Sequence, residues 1–586
     1  MYKPSAENLK INEEIITKFK GFNRNFRIAE NEFSDETNMT GDYSPVISPR
    51  NKRAEFNISG KRLHGLFAKN SVGYINNGTL YYGGFAVSGL TFPDIEKERQ
   101  FVSLGAKLLV FPDKVYLNTN DLNDYGSLEA EFLTADGSEV TFCLCKSDGS
   151  FYNDYYSGTT PPVSPEENDL WVDTSVSPNE LKQYSTYTDS WVSLSTTYIR
   201  IAYSGIGTNF NQYDSVTISG CENNELNNTF VIWDKSDDYI VITGILKENF
   251  SQNTPLKIER RVPEMDFFCE NGNRVWGCSS ETNEIFACKL GDPTNWQSYM
   301  GIATDSYAVS VGSDGEFTGA ISYKGYVLFF KENCVHKIYG SNPPYTVNTN
   351  YIRGVQKGSE KSLITVNETL YYKSPNGIVM YDGGLPISIF DNFSDDYYFN
   401  AVAGNFKNKY YVCMTNKNNK RFLFTYDEQK NIWHKEDEIN IKEFVSHNSN
   451  LYFICENNDK NKKLYLVDSK NKYGNFSGEL AGYNIENNFS WNFETGLWGL
   501  DLPEKKYYSN INIRAIVVEN TTLSVFFQYN SSGEWVKKGE FNFEKTGSIN
   551  IPFITPRCDH LKIKIEGFGD IKILSISRKI EKGSEK

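Results

Sequence analysis

The chain has 586 residues, 15% of them aromatic (38 Tyr and 39 Phe among them), and a formal charge of −14. At that length one core has stopped growing, so several structural units are expected, and the wealth of Tyr and Phe favours strands. The 60 basic residues are scattered, which excludes the concentrated basic face needed to grip nucleic acid through its phosphates; no stretch reaches the roughly 18 apolar residues of a membrane span.

Residues 1–60 differ in pattern from the rest of the chain. Leu9, Ile15, Ile16 and Phe19 predict a brief helical stripe, and Arg24 to Arg53 has no sustained period, so the segment reads as an extended arm packed along its own body or along other subunits. Met1 to Lys20 lacks the apolar centre of a secretory signal, and synthesis and folding in a cytoplasm are expected. From about residue 61 a repeat begins: short strand, turn, Tyr- and Val-rich strand, turn, strand. Tyr326-Val-Leu-Phe-Phe330, Thr369-Leu-Tyr-Tyr372, Lys409-Tyr-Tyr-Val-Cys413 and Asn450-Leu-Tyr-Phe-Ile454 hold equivalent places about 40 to 45 residues apart, the length of a four-stranded propeller blade. Residues 61–120 and 263–484 are therefore expected to form a β-propeller of six or seven blades.

The spacing breaks over 121–262. Thr159-Thr-Pro-Pro162 and Glu166 to Asp173 are turn-rich, and Tyr213 to Gly220, Asn227 to Trp233 and Asp238 to Ile242 alternate as strands do, predicting one or two small β modules inserted between blades. Over 485–576 strict alternation, as in Leu523-Ser-Val-Phe-Phe-Gln-Tyr529 and Leu561-Lys-Ile-Lys-Ile-Glu566, predicts a C-terminal β-sandwich. The charged residues 577–586 read as a loose tail. The fold class expected is thus all-β.

Chemistry-bearing motifs are scarce. The ten cysteines lie mostly in apolar strand patterns, where a thiol behaves as a small hydrophobe, and none has the paired Cys-x-x-Cys spacing of zinc. The five histidines, His64, His336, His434, His447 and His560, have no metal-ligand spacing, and no nucleophile elbow or phosphate loop occurs. Ser313-Asp-Gly315 and Asn457 to Lys463 carry oxygens a calcium ion could use but read as solvated turns. No cofactor, no metal and no catalysis are expected. Trp171, Tyr184, Tyr187 and Trp191 in the insert form the one candidate ligand site, an aromatic platform on which the apolar faces of sugars could stack; the plainer reading makes these rings the core of a small module.

Three stretches, taken in order, resemble a family of structural proteins of tailed bacteriophages. They are Phe22-Asn23 with Asn38-Met39-Thr40, Tyr43-Ser-Pro45 and Ser48-Pro-Arg50; Arg274-Val-Trp-Gly-Cys278 leading to Lys289-Leu-Gly-Asp-Pro-Thr-Asn-Trp296; and His336 to Gly340 with Gly354 to Ser359 and Ser374 to Gly383. The resemblance is to propeller tail-nozzle and packaged-DNA stabilisation proteins and to neck, tail and baseplate components. It implies a non-enzymatic virion protein, a homo-oligomer assembled with other phage structural proteins, past whose acidic surface DNA moves without tight binding. The alternative is a receptor-recognition protein binding a host cell-wall glycan through the insert, with or without hydrolysis.

Overall fold

The computed structural model describes residues 11–58, 62–93, 97–470, 477–502, 504–517, 521–543, 546–552 and 556–582. It is all-β, with only four short 3-10 turns among the described residues. Contacts divide the chain into two compact units: Met1–Glu98, Phe330–Val335 and Thr349–Lys586 form the first, Arg99–Phe329 and His336–Asn348 the second. Among the described residues no helix is long and apolar enough to cross a membrane.

Among the described residues seven antiparallel meander sheets recur. They start at Leu63–Ala68, Gln100–Leu104, Phe267–Asn271, Phe317–Tyr323, Ile364–Val366, Tyr398–Phe406 and Ile441–His447. In the second to seventh, two residues join the first strand to the next, and in five of these both turn residues have φ between 44° and 80°: Gly272-Asn273, Lys324-Gly325, Asn367-Glu368, Lys407-Asn408 and Asn448-Ser449. Such turns match the twist of a hairpin, and Asn and Gly tolerate the left-handed backbone that they require.

The second strands, such as Tyr326–Lys331 and Lys409–Asn416, are buried on both faces. That explains why they read as continuous apolar runs and not as alternation. In the first unit the leading strands of the fifth, sixth, seventh and first meanders are neighbours in that order. In the second unit those of the second, third and fourth are arranged in the same way. The apolar cores lie between successive sheets: Leu109, Phe111, Phe268 and Trp296 between the second and third, and Cys413, Leu423, Leu451 and Phe453 between the sixth and seventh.

Residues 11–58 pack along the chain's own body, and the helical stripe is corrected to a strand, Ile11–Ile16, paired with Ile571–Lys582; Leu9 lies outside the described residues. Phe33–Thr37 pairs with Ser490–Thr495, so the arm adds one strand to each sheet of a C-terminal sandwich. Those sheets close on Trp491, Phe493, Ile511, Ile513, Val525, Phe527, Ile563 and Ile573, and Thr521–Tyr529 alternates buried with half-buried residues, as its sequence does. The loose tail is corrected too: Ile571–Lys582 continues as strand past residue 577, and Arg578 is buried against Glu14 and Glu30. Ala54–Phe56 then supplies the next strand of the seventh meander, beside Lys462–Leu466, before the chain starts the first meander. Phe56, Leu63, Tyr74 and Tyr452 pack those two sheets together.

Several motif residues of the arm are clamps. Phe22 packs among Phe393, Phe424 and Trp433, and the Arg50 Nε donates to Asn38 Oδ1 at 2.8 Å. Buried Glu36 accepts from the Lys435 N–H at 2.7 Å and lies 3.0 Å from His434 Nδ1.

Lys373, in the second strand of the fifth meander, is 1% exposed. Its Nζ donates to the Ser374 carbonyl at 2.6 Å and has no carboxylate partner among the described residues; burial lowers its pKa to about 8. An unfolded lysine holds its proton to about 10.4, so the unfolded chain binds more protons between those values and wild-type stability rises with pH through that window. Lys373→Met is expected to stabilise the chain by about 1–3 kcal/mol at neutral pH, the gain shrinking as pH rises from about 8 to 10. Denaturant titrations of both chains across that range measure it.

Candidate functional site

The insert is built in two layers of chain order. Eight strands between Ala130 and Arg260 form one continuous sheet around Phe142, Ile199, Ile201, Val216, Ile232, Ile242 and Ile258. Nested within it, between Val140–Cys145 and Tyr198–Ala202, is a separate four-stranded sheet: Tyr156–Gly158, Leu170–Asp173, Glu180–Ser185 and Ser190–Ser193. The first two strands are parallel, which requires a crossover; the Thr159–Asp169 stretch with its prolines supplies it. Asn168 at φ 71° and Asp189 at φ 50° sit where the chain turns into the second and fourth strands, positions that Asn and Asp tolerate.

The register separates the two faces of this small sheet. Leu170, Val172, Leu181 and Leu194 point one way, onto Leu144, Tyr152, Tyr155 and Ile245. Trp171 pairs across the sheet with Tyr156 and Lys182, and Tyr184 with Trp191, so these side chains share the opposite face. There Trp171 and Trp191 meet edge-on with centroids 5.5 Å apart, and Tyr184 lies 5.3 Å from Trp191. Trp171 is 6% exposed, and its indole N–H donates to the Gly158 carbonyl at 2.9 Å. It is the floor of the cluster, while Trp191 and Tyr184 are half-buried and Tyr156, on the same face, is exposed. Tyr187, 96% exposed, stands outside the cluster in the Thr186–Asp189 loop. The structure therefore brings three of the four expected rings together, separates the fourth, and adds Tyr156, which sequence alone did not single out because its parallel pairing is non-local.

The rings are framed by charge. The Lys182 Nζ lies 5.2 Å over the Trp171 ring, donating to Asp173 at 2.8 Å with Glu180 at 3.5 Å. The Lys182 and Ser175 hydrogen bonds lower the Asp173 pKa to about 2. On the other side the Tyr184 hydroxyl donates to Asp189 Oδ1 at 2.5 Å, and this bond, with the charges of Asp189 and Glu167, raises the phenol above its ordinary value. Glu167 accepts from the Thr186 hydroxyl at 2.6 Å, which lowers its pKa.

Two other places gather polar and charged side chains. In the first unit a cavity of about 470 Å³ is lined by His64, Glu98, Lys361, Arg421, Glu443 and neighbouring polar side chains. Lys361 Nζ lies 3.5 Å from both Glu98 and Glu443 and bridges the two carboxylates. In the second unit Gly291-Asp-Pro-Thr-Asn-Trp296 ties two elements together. Asn295 Nδ2 donates to Asp214 and Asp292, Asn295 Oδ1 accepts from the Ser215 N–H, and Asp214 pairs with buried Arg260; the motif clamps the inserted sheet to the third meander. At the Asn457 turn, Oδ1 is taken by the Asp459 and Asn461 N–H groups.

No family model and no curated protein matches the chain. Solved structures that it is similar to include an exo-β-1,3-galactanase from Phanerochaete chrysosporium (10% identity over 52% of this chain and 92% of that one, TM-score 0.22). Two more are a glycoside hydrolase family 43 arabinoxylan arabinofuranohydrolase from Bacillus subtilis (10%, 72% and 96%, 0.14) and the Trypanosoma rangeli sialidase (7%, 97% and 96%, 0.22). At these TM-scores the likeness carries no activity over to this chain. The expectation of a chain without catalysis is corrected: solved chains that it is similar to include glycoside hydrolases and a sialidase, so the non-enzymatic reading is dropped.

Proposed function

We propose that this chain recognises a surface glycan, with the outer face of the nested sheet as its contact and the meanders within each unit as propeller-type blades. One observation bears most of the weight: the small sheet already has an apolar core on one face, so the rings of Tyr156, Trp171, Tyr184 and Trp191 on the other are not needed to fill it. Flat aromatic rings offer apolar area at low entropic cost, and the polar row of Asp173, Lys182 and Glu180 beside them supplies hydrogen-bond partners for hydroxyls. The blade reading is supported by the sequence of neighbouring leading strands and by Ala54–Phe56 completing the seventh sheet.

The test is retardation in gels cast with soluble polysaccharides. Trp191→Ala, which removes a half-buried ring and leaves the Leu170–Val172–Leu181 core intact, is expected to weaken binding about tenfold or more without shifting the unfolding midpoint by more than a degree or two. Unchanged retardation would rule out the aromatic platform as the contact.

A second reading places the chain on a tailed-phage particle, as part of a homo-oligomeric tail, neck or baseplate assembly with other phage proteins. Its support is the order of the arm, Gly-Asp-Pro-x-x-Trp and Ser-Pro-Asn-Gly stretches. Labelled particles seen by electron microscopy test it, and the two readings meet if the label falls on peripheral spikes that adhere to isolated cell walls.

A further inference from the structure

We propose that the glycan bound by the aromatic face carries free ammonium groups, as a de-N-acetylated hexosamine polymer does, and that one ammonium sits against the Tyr184 and Trp191 rings between Glu167 and Asp189. The proposal rests on the glycan reading and names its ligand class.

Charge is concentrated at this module. Residues 146–197 hold eight carboxylates against Lys146 and Lys182, a net −6 out of −14 for the whole chain. An anionic glycan is repelled from such a surface, and a cationic one is drawn to it. The face also shows its own preference. Lys182 places an ammonium over the Trp171 ring between Asp173 and Glu180, a cation on an indole face flanked by two carboxylates. The other half of the same face repeats the parts without the cation. Tyr184 and Trp191 supply the rings, and Asp189 and Glu167 act electrostatically on the Tyr184 hydroxyl. Among the described residues neither Glu167 nor Asp189 has a lysine or arginine partner; their contacts are the Thr186 N–H and hydroxyl and the Tyr184 hydroxyl. A sugar ring stacked on Trp191 with an amine on its edge completes the second niche as Lys182 completes the first.

The experiment is calorimetric titration of the full chain with a glucosamine hexamer and an N-acetylglucosamine hexamer at about pH 5.5, where the carboxylates are ionised. The amine form is expected to bind about tenfold more tightly, the margin of one cation–π contact with one exposed ion pair, and to lose most of that margin in 0.5 M salt, as screening requires, on a scale of about 3–10 Å. In Glu167→Gln/Asp189→Asn, which keeps both hydrogen-bond acceptors and a residue suited to φ 50°, the two hexamers are expected to bind alike. Equal affinities for wild type, a preference that survives the double variant, or equally tight binding of a hexalysine peptide would each overturn the proposal while leaving the platform standing. Failure to bind either hexamer or any neutral polysaccharide would overturn the platform and the proposal together.

Discussion

Arg53→Met is expected to cost about 3–5 kcal/mol of stability in the first unit, the largest single effect in the molecule. Arg53 is 5% exposed at the start of the strand that completes the seventh meander. Its guanidinium donates to Asp437 at 2.7 and 2.9 Å and to Glu436 at 2.8 Å, while Arg50 beside it donates to Glu486 at 2.7 and 2.9 Å. Removing Arg53 leaves buried Glu436 and half-buried Asp437 with only the Arg50 guanidinium, 3.9 and 3.7 Å away, and the cost is that of poorly compensated charge more than of a lost bond.

The pH dependence separates these contributions. Burial outweighs its arginine partners and raises Glu436 above its ordinary value; for Asp437 burial acts in the same direction, but the Arg53 charge overcomes it and the net shift is downward. A carboxylate held low contributes stability that is present above its unfolded pKa of about 3.9 and is lost as pH falls through its folded value. In Arg53→Met that contribution is gone and both acids favour protonation. The defect is therefore expected to be largest near pH 7 and to shrink as pH falls toward about 4. Adding Glu436→Gln and Asp437→Asn is expected to restore more than half of the loss, because the stranded charge is removed with its partner. Thermal or denaturant unfolding of the three chains at several pH values measures it. A defect that does not depend on pH would assign Arg53 a packing role.

Asp214→Ala is expected to have the second largest effect, about 3–5 kcal/mol, confined to the second unit. Asp214 is 2% and Arg260 6% exposed. The aspartate also caps the Asn211 N–H at 2.8 Å and accepts from Asn295 at 3.0 Å. Its loss strands the Arg260 guanidinium and frees the Gly-Asp-Pro-Thr-Asn-Trp turn from the inserted sheet. Hydrogen exchange is the sharper readout: the amides of Ser215–Ser219 are expected to exchange at least about a hundredfold faster, with those of the sandwich unchanged. Asp214→Asn, which keeps an acceptor but not the charge, is expected to fall between wild type and Asp214→Ala.

Legibility in the sequence divides along one physical line. Elements whose burial is set by local order were legible. The two-sided second strands read as apolar runs, and the sandwich strands read as alternation because one face of each meets the core. Elements completed by distant partners were not. Ile11–Ile16 looked helical because Ile15 and Ile16 are adjacent in an isolated stripe, yet its strand is fixed by backbone bonds to residues at least 560 positions away. Arg578 sat in a charged tail that read as loose, and it is buried by Glu14 and Glu30 of the arm. At the candidate site the ring types were visible, but which rings share a face depended on register. Trp171 and Trp191 converge, whereas Tyr187, only three residues from Tyr184, falls in the turn and stands away from the cluster. Nothing in the local pattern marked Tyr156, whose partner strand arrives after an eleven-residue crossover. The Glu98, Lys361 and Glu443 grouping was equally hidden, since three separate segments supply it.

Retention of the full chain on isolated bacterial cell walls, compared between wild type and Tyr184→Ala/Trp191→Ala at matched folding, measures most directly whether the outer face of the nested sheet holds a glycan. Wild type is expected to be retained, and the double variant to elute unretarded with an unchanged circular dichroism spectrum. Equal retention of the two folded chains would contradict glycan recognition by this face.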